Sequence, residues 1–164
     1  MQINNYQKAV GSWGILIFIG YIAQNILHKY NLVIIRWSII IAIALFIQIF
    51  LLWNDDRVSF GTQITWIVIS IIGGALTYFL WSGSIMTDLK INVFWFIIVS
   101  IGMGVTLILT KNISYLILLG LYIISAIIFQ VFDFDNDLIY AGLIFLILGF
   151  VDVFLESSPL RKTK

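Results

Sequence analysis

Residues 32–53 read LVIIRWSIIIAIALFIQIFLLW, a run broken only by one charge, Arg36, one hydroxyl, Ser38, and one internal amide, Gln48. Crossing the hydrocarbon core of a bilayer takes about 20 apolar residues in a helix. This run supplies that length with no proline or glycine inside it. A membrane barrel would instead show strands of ~10 residues alternating apolar and polar. Here the apolar character is continuous, so a helix, which satisfies every backbone group within the segment, is the form that suits lipid.

Working outward from this run, five more of the same kind follow: 11–27, 61–81, 91–110, 113–132 and 138–155. Short polar breaks separate them, at 28–31, 54–60, 82–90, 111–112 and 133–137. Breaks this short make consecutive helices antiparallel neighbours. The chain is 62% hydrophobic and 10% charged, with a mean hydropathy of +1.08. A soluble domain carries roughly 25% charged residues. The expected fold is therefore all-α: one domain over residues 1–164, a compact polytopic bundle of six transmembrane helices solvated by the lipid bilayer.

Lys8 and the apolar run from Trp13 meet two marks of a cleaved signal peptide. No small-x-small site follows in Gln24-Asn25-Ile26-Leu27-His28-Lys29, so the run is read as the first membrane helix. Tryptophans fall near the run ends: Trp13, Trp37, Trp53, Trp66, Trp81 and Trp95. Indoles favour the headgroup level, and these are read as interfacial anchors. Lys8, Arg57, Lys111, Arg161, Lys162 and Lys164 fall on one side, and Lys29, Arg36 and Lys90 on the other. The positive-inside rule then places both termini in the cytoplasm and the 133–137 turn outside.

Small residues mark packing faces. Ser70-x-x-x-Gly74 and Ser100-x-x-x-Gly104, together with Gly73 and Gly102, lie mid-span in the third and fourth helices, with Trp66 and Trp95 as rough counterparts. This echo is read as two small-residue contact faces, which let backbones approach closely, rather than as a duplicated fold. Gly142, Phe145, Gly149 and Asp152 form one stripe along the sixth helix.

The polar residues inside or beside the spans are the candidate functional groups. Asp152 is the acid placed within a span, about one turn from its end, where an interfacial pairing with Lys111, Arg57 or the tail cations is expected. Arg36 enters the second helix near the outer surface. Its guanidinium either snorkels to the interface or pairs, with Lys29, to the acidic turn Asp133-Phe134-Asp135-Asn136-Asp137. The Asp133, Asp135, Asp137 spacing opens like a calcium loop, but Leu138 and Ile144 stand where the loop glycine and bidentate glutamate belong. Gln48 is the deepest amide, and Gln24, Asn25, Arg36 and Gln130 would line a shallow outer vestibule if their helices meet.

The inventory argues against catalysis. The sequence has no cysteine and a single histidine, His28, so thiolate metal sites, iron–sulfur clusters and a bis-histidine haem cannot form from this chain. No nucleophile–base set, second intramembrane aspartate or phosphate loop accompanies Asp152. No catalytic, cofactor-binding or metal-ligating residue is assigned. A net charge of +1 offers no field for nucleic acid. Proline-free helices with small-residue faces fit a non-catalytic subunit or accessory, stabilising component that packs against a protein partner or a second copy. The alternative is binding or transport of a small solute: in size and helix count the chain resembles the substrate-binding subunits of energy-coupling vitamin transporters. That resemblance is one of shape, carried by no residue motif.

Overall fold

The computed structural model describes residues 5–27, 33–53, 60–81 and 90–157. Among these there is no strand. The chain forms α1 (Asn5–Leu27), α2 (Val33–Leu52), α3 (Phe60–Trp81), α4 (Ile91–Thr110), α5 (Ser114–Val131) and α6 (Asp137–Ser157). Each carries a window long and apolar enough to cross a membrane. His28, Lys29, Arg57, Pro159, Arg161, Lys162 and Lys164 lie outside the described residues.

α1 begins at Asn5, earlier than the apolar run at Gly11 suggested. Its polar opening turn is helical because the bundle satisfies it. Tyr6 and Gln7 are buried, and the Gln7 amide donates to the Val153 carbonyl of α6 at 3.1 Å.

Consecutive helices pack side by side around a ring, and α6 closes it against α1. The contacts run in opposite senses along each pair, as antiparallel neighbours require. Gly14 lies against Gly149 and Phe145, and Gly142 lies under Tyr21 further along the same seam. The α4–α5 turn is tight. Lys111 takes a left-handed conformation (φ 53°) so that its N–H reaches the Leu107 carbonyl, and the Asn112 side chain accepts the Ser114 N–H. Across the ring α6 also touches α4. The Phe145 and Phe96 rings stack there at 4.4 Å, and Tyr21, Tyr122 and Phe129 extend this aromatic spine. The outer faces are rows of exposed isoleucine, leucine and phenylalanine, such as Ile39, Phe46 and Phe50 on α2, which only an apolar solvent would tolerate.

Four of the tryptophans turn into the bundle instead of serving only as outer anchors. Trp37 and Trp95 are buried, and Trp13 and Trp66 pack on the core; Trp53 is exposed. Each inward indole has a seat. Trp95 of α4 lies over Gly73 of α3, and Trp66 of α3 over Gly102 of α4, each ring edge 2.9 Å from where a Cβ would stand. Trp37 of α2 covers Gly20 of α1 in the same way. The fourth small residue of this pattern, Ala44, is fully buried.

In sequence the pattern is Trp-x6-small, found at Trp13/Gly20, Trp37/Ala44, Trp66/Gly73 and Trp95/Gly102. α1 and α2 add a second reciprocity. The Trp13 indole donates to Gln48 at 3.0 Å, and the Trp37 indole donates to Gln24 at 2.7 Å. Trp13 and Gln24 are eleven residues apart, as are Trp37 and Gln48. The α1–α2 and α3–α4 hairpins are therefore each internally two-fold in their packing. The echo between α3 and α4 is a reciprocal insertion of large rings over glycines.

Candidate functional site

The ring of helices surrounds a partly open cavity of about 100 Å³. All six contribute to its wall. Its rings are Tyr6, Trp13, Trp66, Trp95, Tyr122 and Phe145, and Met103 adds a thioether. Its polar groups are Gln48, Ser70 and Asp152, together with the Tyr6 and Tyr122 hydroxyls.

Asp152 sits on α6 with its side chain turned inward, only 4% exposed. The neighbouring Gly149 removes the side chain that would otherwise stand between α6 and α1, which brings the two backbones to van der Waals contact. That close approach carries Tyr6 to the carboxylate. The Tyr6 hydroxyl donates to Asp152 Oδ2 at 3.4 Å and shares a 2.8 Å hydrogen bond with the Tyr115 hydroxyl of α5. Asp152 is thus a buried member of a phenol–carboxylate cluster on the cavity wall; Arg57 and the tail cations expected to pair with it lie outside the described residues.

Gln48 accepts from Trp13, which fixes the indole plane along the cavity. Ser70 returns its hydroxyl to the Trp66 carbonyl of its own helix, and Ser100 does the same to the Phe96 carbonyl. Both serines are buried, and both are satisfied by the turn before them.

Five of the polar and stripe residues singled out from the sequence, Gln48, Ser70, Phe145, Gly149 and Asp152, come together on this cavity. The others are elsewhere. Gly142 packs under the Tyr21 side chain. A Cβ at Gly74 would meet only the tip of Ile41 at 3.8 Å, and one at Gly104 would meet nothing within 4 Å. The close contacts belong to Gly73 and Gly102, because these are the residues in register with the opposing tryptophans.

Arg36 donates to the Ala23 carbonyl of α1 at 3.1 Å, and the ion pair seen at the acidic turn is Lys90 with Asp133, at 2.5 Å. The residue immediately before α4 has the shorter reach to the α5–α6 turn. Lys90 also donates to the Phe132 carbonyl, and Asn92 approaches Asp137 at 3.4 Å. The Lys90 ammonium holds the Asp133 carboxyl below its ordinary range, through its hydrogen bond first and its charge second. Asp135 is exposed. Among the described residues no three His, Cys, Asp or Glu side chains converge as metal ligands. Gln130 is exposed on α5, so it does not join Gln24 and Arg36, which lie on the α1–α2 seam.

The sequence reading missed Tyr6, Trp13, Trp66, Met103, Trp95 and Tyr122 as cavity residues. The Trp-x6-small recurrence was the available signal, since a small residue two turns from each indole prepares a neighbour's seat.

These features define a multi-pass α-helical membrane protein with an aromatic-walled internal cavity. Comparison with protein-family models, curated proteins and solved structures finds no match to the chain.

Proposed function

We propose that this protein binds a small solute inside the bilayer, in the cavity its six helices surround, and serves as a solute-binding or carrier component. The observation that carries this reading is the convergence of Asp152, Gln48 and Ser70 with three indoles on one cavity. Ligand sites are concave and mostly apolar, with a few placed polar groups. A cavity of about 100 Å³ approaches the ~150 Å³ that holds a benzene ring. Two-fold related helices around a binding site are a recurring carrier architecture, because they allow access from alternate sides. The two reciprocal hairpins suit that use. The cation distribution favours both termini in the cytoplasm, which turns the Tyr6–Asp152 end of the cavity inward.

A second reading, an accessory subunit, draws support from a different place. Ser38, Ala42, Gly74 and Ala75 line an outer groove between α2 and α3 of the kind a partner helix packs into. Native mass spectrometry of the protein, released from mild detergent, separates the two. A small-molecule adduct that is lost on Trp66→Ala supports solute binding. A stoichiometric partner protein with no small-molecule adduct overturns it in favour of the accessory role.

A further inference from the structure

We propose that the solute of this cavity is a neutral, lipid-soluble molecule about the size of a single ring, drawn from the bilayer between α2 and α3. This rests on the solute-binding reading above and names the class of solute and its route.

Packing is the first argument. Backbones touch at Gly14 and Gly149 between α1 and α6. Indole–glutamine hydrogen bonds lock α1 to α2, and tryptophans seated over glycines lock α3 to α4. Among the described residues the α2–α3 seam is the most sparsely packed between consecutive helices, and these two helices have the least buried spans. The Gln63 amide of α3 donates to the Leu52 carbonyl of α2 at 2.7 Å, which pins one end of the seam. Towards the other end the two helices flank a groove of about 310 Å³, which runs from Trp37 to Leu45 on α2 and from Ser70 to Tyr78 on α3. With the termini in the cytoplasm, as proposed above, this groove faces the outer leaflet.

The second argument is continuity. Ser70 lines the groove and the cavity alike, so one small side chain of α3 stands between the two spaces. Its hydroxyl is folded back on the Trp66 carbonyl at 2.8 Å and is already satisfied. A turn further along, the Gly74 position faces the tip of the Ile41 side chain. That tip moves by a change of rotamer, without backbone displacement.

The third argument is chemical. A molecule in the groove arrives from hydrocarbon, where charge is costly, so the solute is neutral. Ile41, Leu45 and Ile71 give the groove an apolar wall, and Ser38 and Tyr78 stand at its outer end to meet a polar group. The cavity sets the size. About 100 Å³ is close to the ~150 Å³ that takes a benzene ring, and too small for a whole lipid.

The sequence has no cysteine, so Met103→Cys places a unique thiol on the cavity wall. On full-length protein in lipid nanodiscs, mass spectrometry times its modification by two methanethiosulfonates, the lipid-soluble benzyl reagent and the charged trimethylammonioethyl reagent. Each rate is normalised to that of the same thiol in the unfolded chain. The benzyl reagent should react at least about tenfold faster than the charged one. Adding Ala75→Phe, which fills the groove, should slow it severalfold, whereas Ile127→Phe on the exposed face of α5 should not. Val99→Cys and Ala42→Phe replace any variant whose melting temperature shows that it does not fold. Equal rates for the two reagents reveal a water path and overturn the proposal. A benzyl rate indifferent to groove filling, or reaction with neither reagent, overturns it as well. The small-molecule adduct sought by native mass spectrometry judges the solute-binding reading separately, and that reading stands in each of these cases when the adduct is present.

Discussion

Gly14 of α1 and Gly149 of α6 face one another so closely that a Cβ on Gly149 would lie 3.4 Å from the Gly14 Cα. The atoms on both sides are backbone, so a larger side chain has nothing flexible to push aside. Gly149→Leu should lower stability by ~1–3 kcal/mol through enforced separation of the helices. Gly104→Leu, with nothing within 4 Å of its Cβ position, should stay near wild type. Thermal denaturation in detergent, followed by tryptophan fluorescence, checks the pair. Equal melting temperatures for the two variants would contradict the seam.

The seat of Trp66 over Gly102 predicts a specific rescue. Gly102→Ala places a methyl 2.9 Å from the indole edge and should cost ~1–3 kcal/mol. Trp66→Phe shortens the ring and should relieve much of that loss. Trp95→Phe, whose ring sits over Gly73 instead, should not. A double-mutant cycle measures the coupling, expected at ~0.5–3 kcal/mol for residues in direct contact. Additivity with Trp66→Phe would reject the seat.

Tyr21 is 1% exposed, and its hydroxyl has no hydrogen-bond partner among the described residues. A buried, unsatisfied hydroxyl carries its desolvation with no return. Tyr21→Phe keeps the ring against Trp37 and Phe145 while removing that oxygen. Its melting temperature should equal or exceed that of wild type. A loss of more than about 1 kcal/mol would mean that the hydroxyl makes a worthwhile bond.

The Lys90–Asp133 pair gives a pH signature. Because Asp133 titrates below its ordinary range when folded, the pair contributes above the unfolded value and is lost as pH falls through the folded one. In a carboxyl-resolved NMR titration its midpoint should lie below that of a free aspartate. Lys90→Met should return it to the ordinary range. Both groups are reachable by solvent, so added salt should weaken the effect. Identical midpoints in wild type and variant would exclude the pair.

The helices were legible because lipid imposes length and apolarity one segment at a time, as 91–110 shows: the run read from the sequence and α4 coincide. The start of α1 was not, because Tyr6 and Gln7 become helical through partners on α5 and α6 more than a hundred residues away. The cavity was hidden for a related reason. An indole near a span end satisfies both a headgroup and an interior seat, and only the neighbouring helix decides between them. Trp37 illustrates this: Gln24 and Gly20 draw it inward, and both lie on a different helix. Of the four glycines on the small-residue faces, contact was expected at Gly74 and Gly104 and falls at Gly73 and Gly102, since register depends on the opposing side chain.

The α1–α6 seam also imposes an order in time. Of the six helices α1 is made first, yet the groups that satisfy its opening turn, Asp152 and the Val153 carbonyl, lie on α6, which is made after the other five. The α4–α5 hairpin, joined by its tight turn, needs no such wait, because local contacts form quickly and distant ones late. Among these six helices, ring closure therefore comes last. A chain cut before residue 137 and released from the ribosome would leave in the membrane an open arc of five helices, its first helix still without its final neighbour.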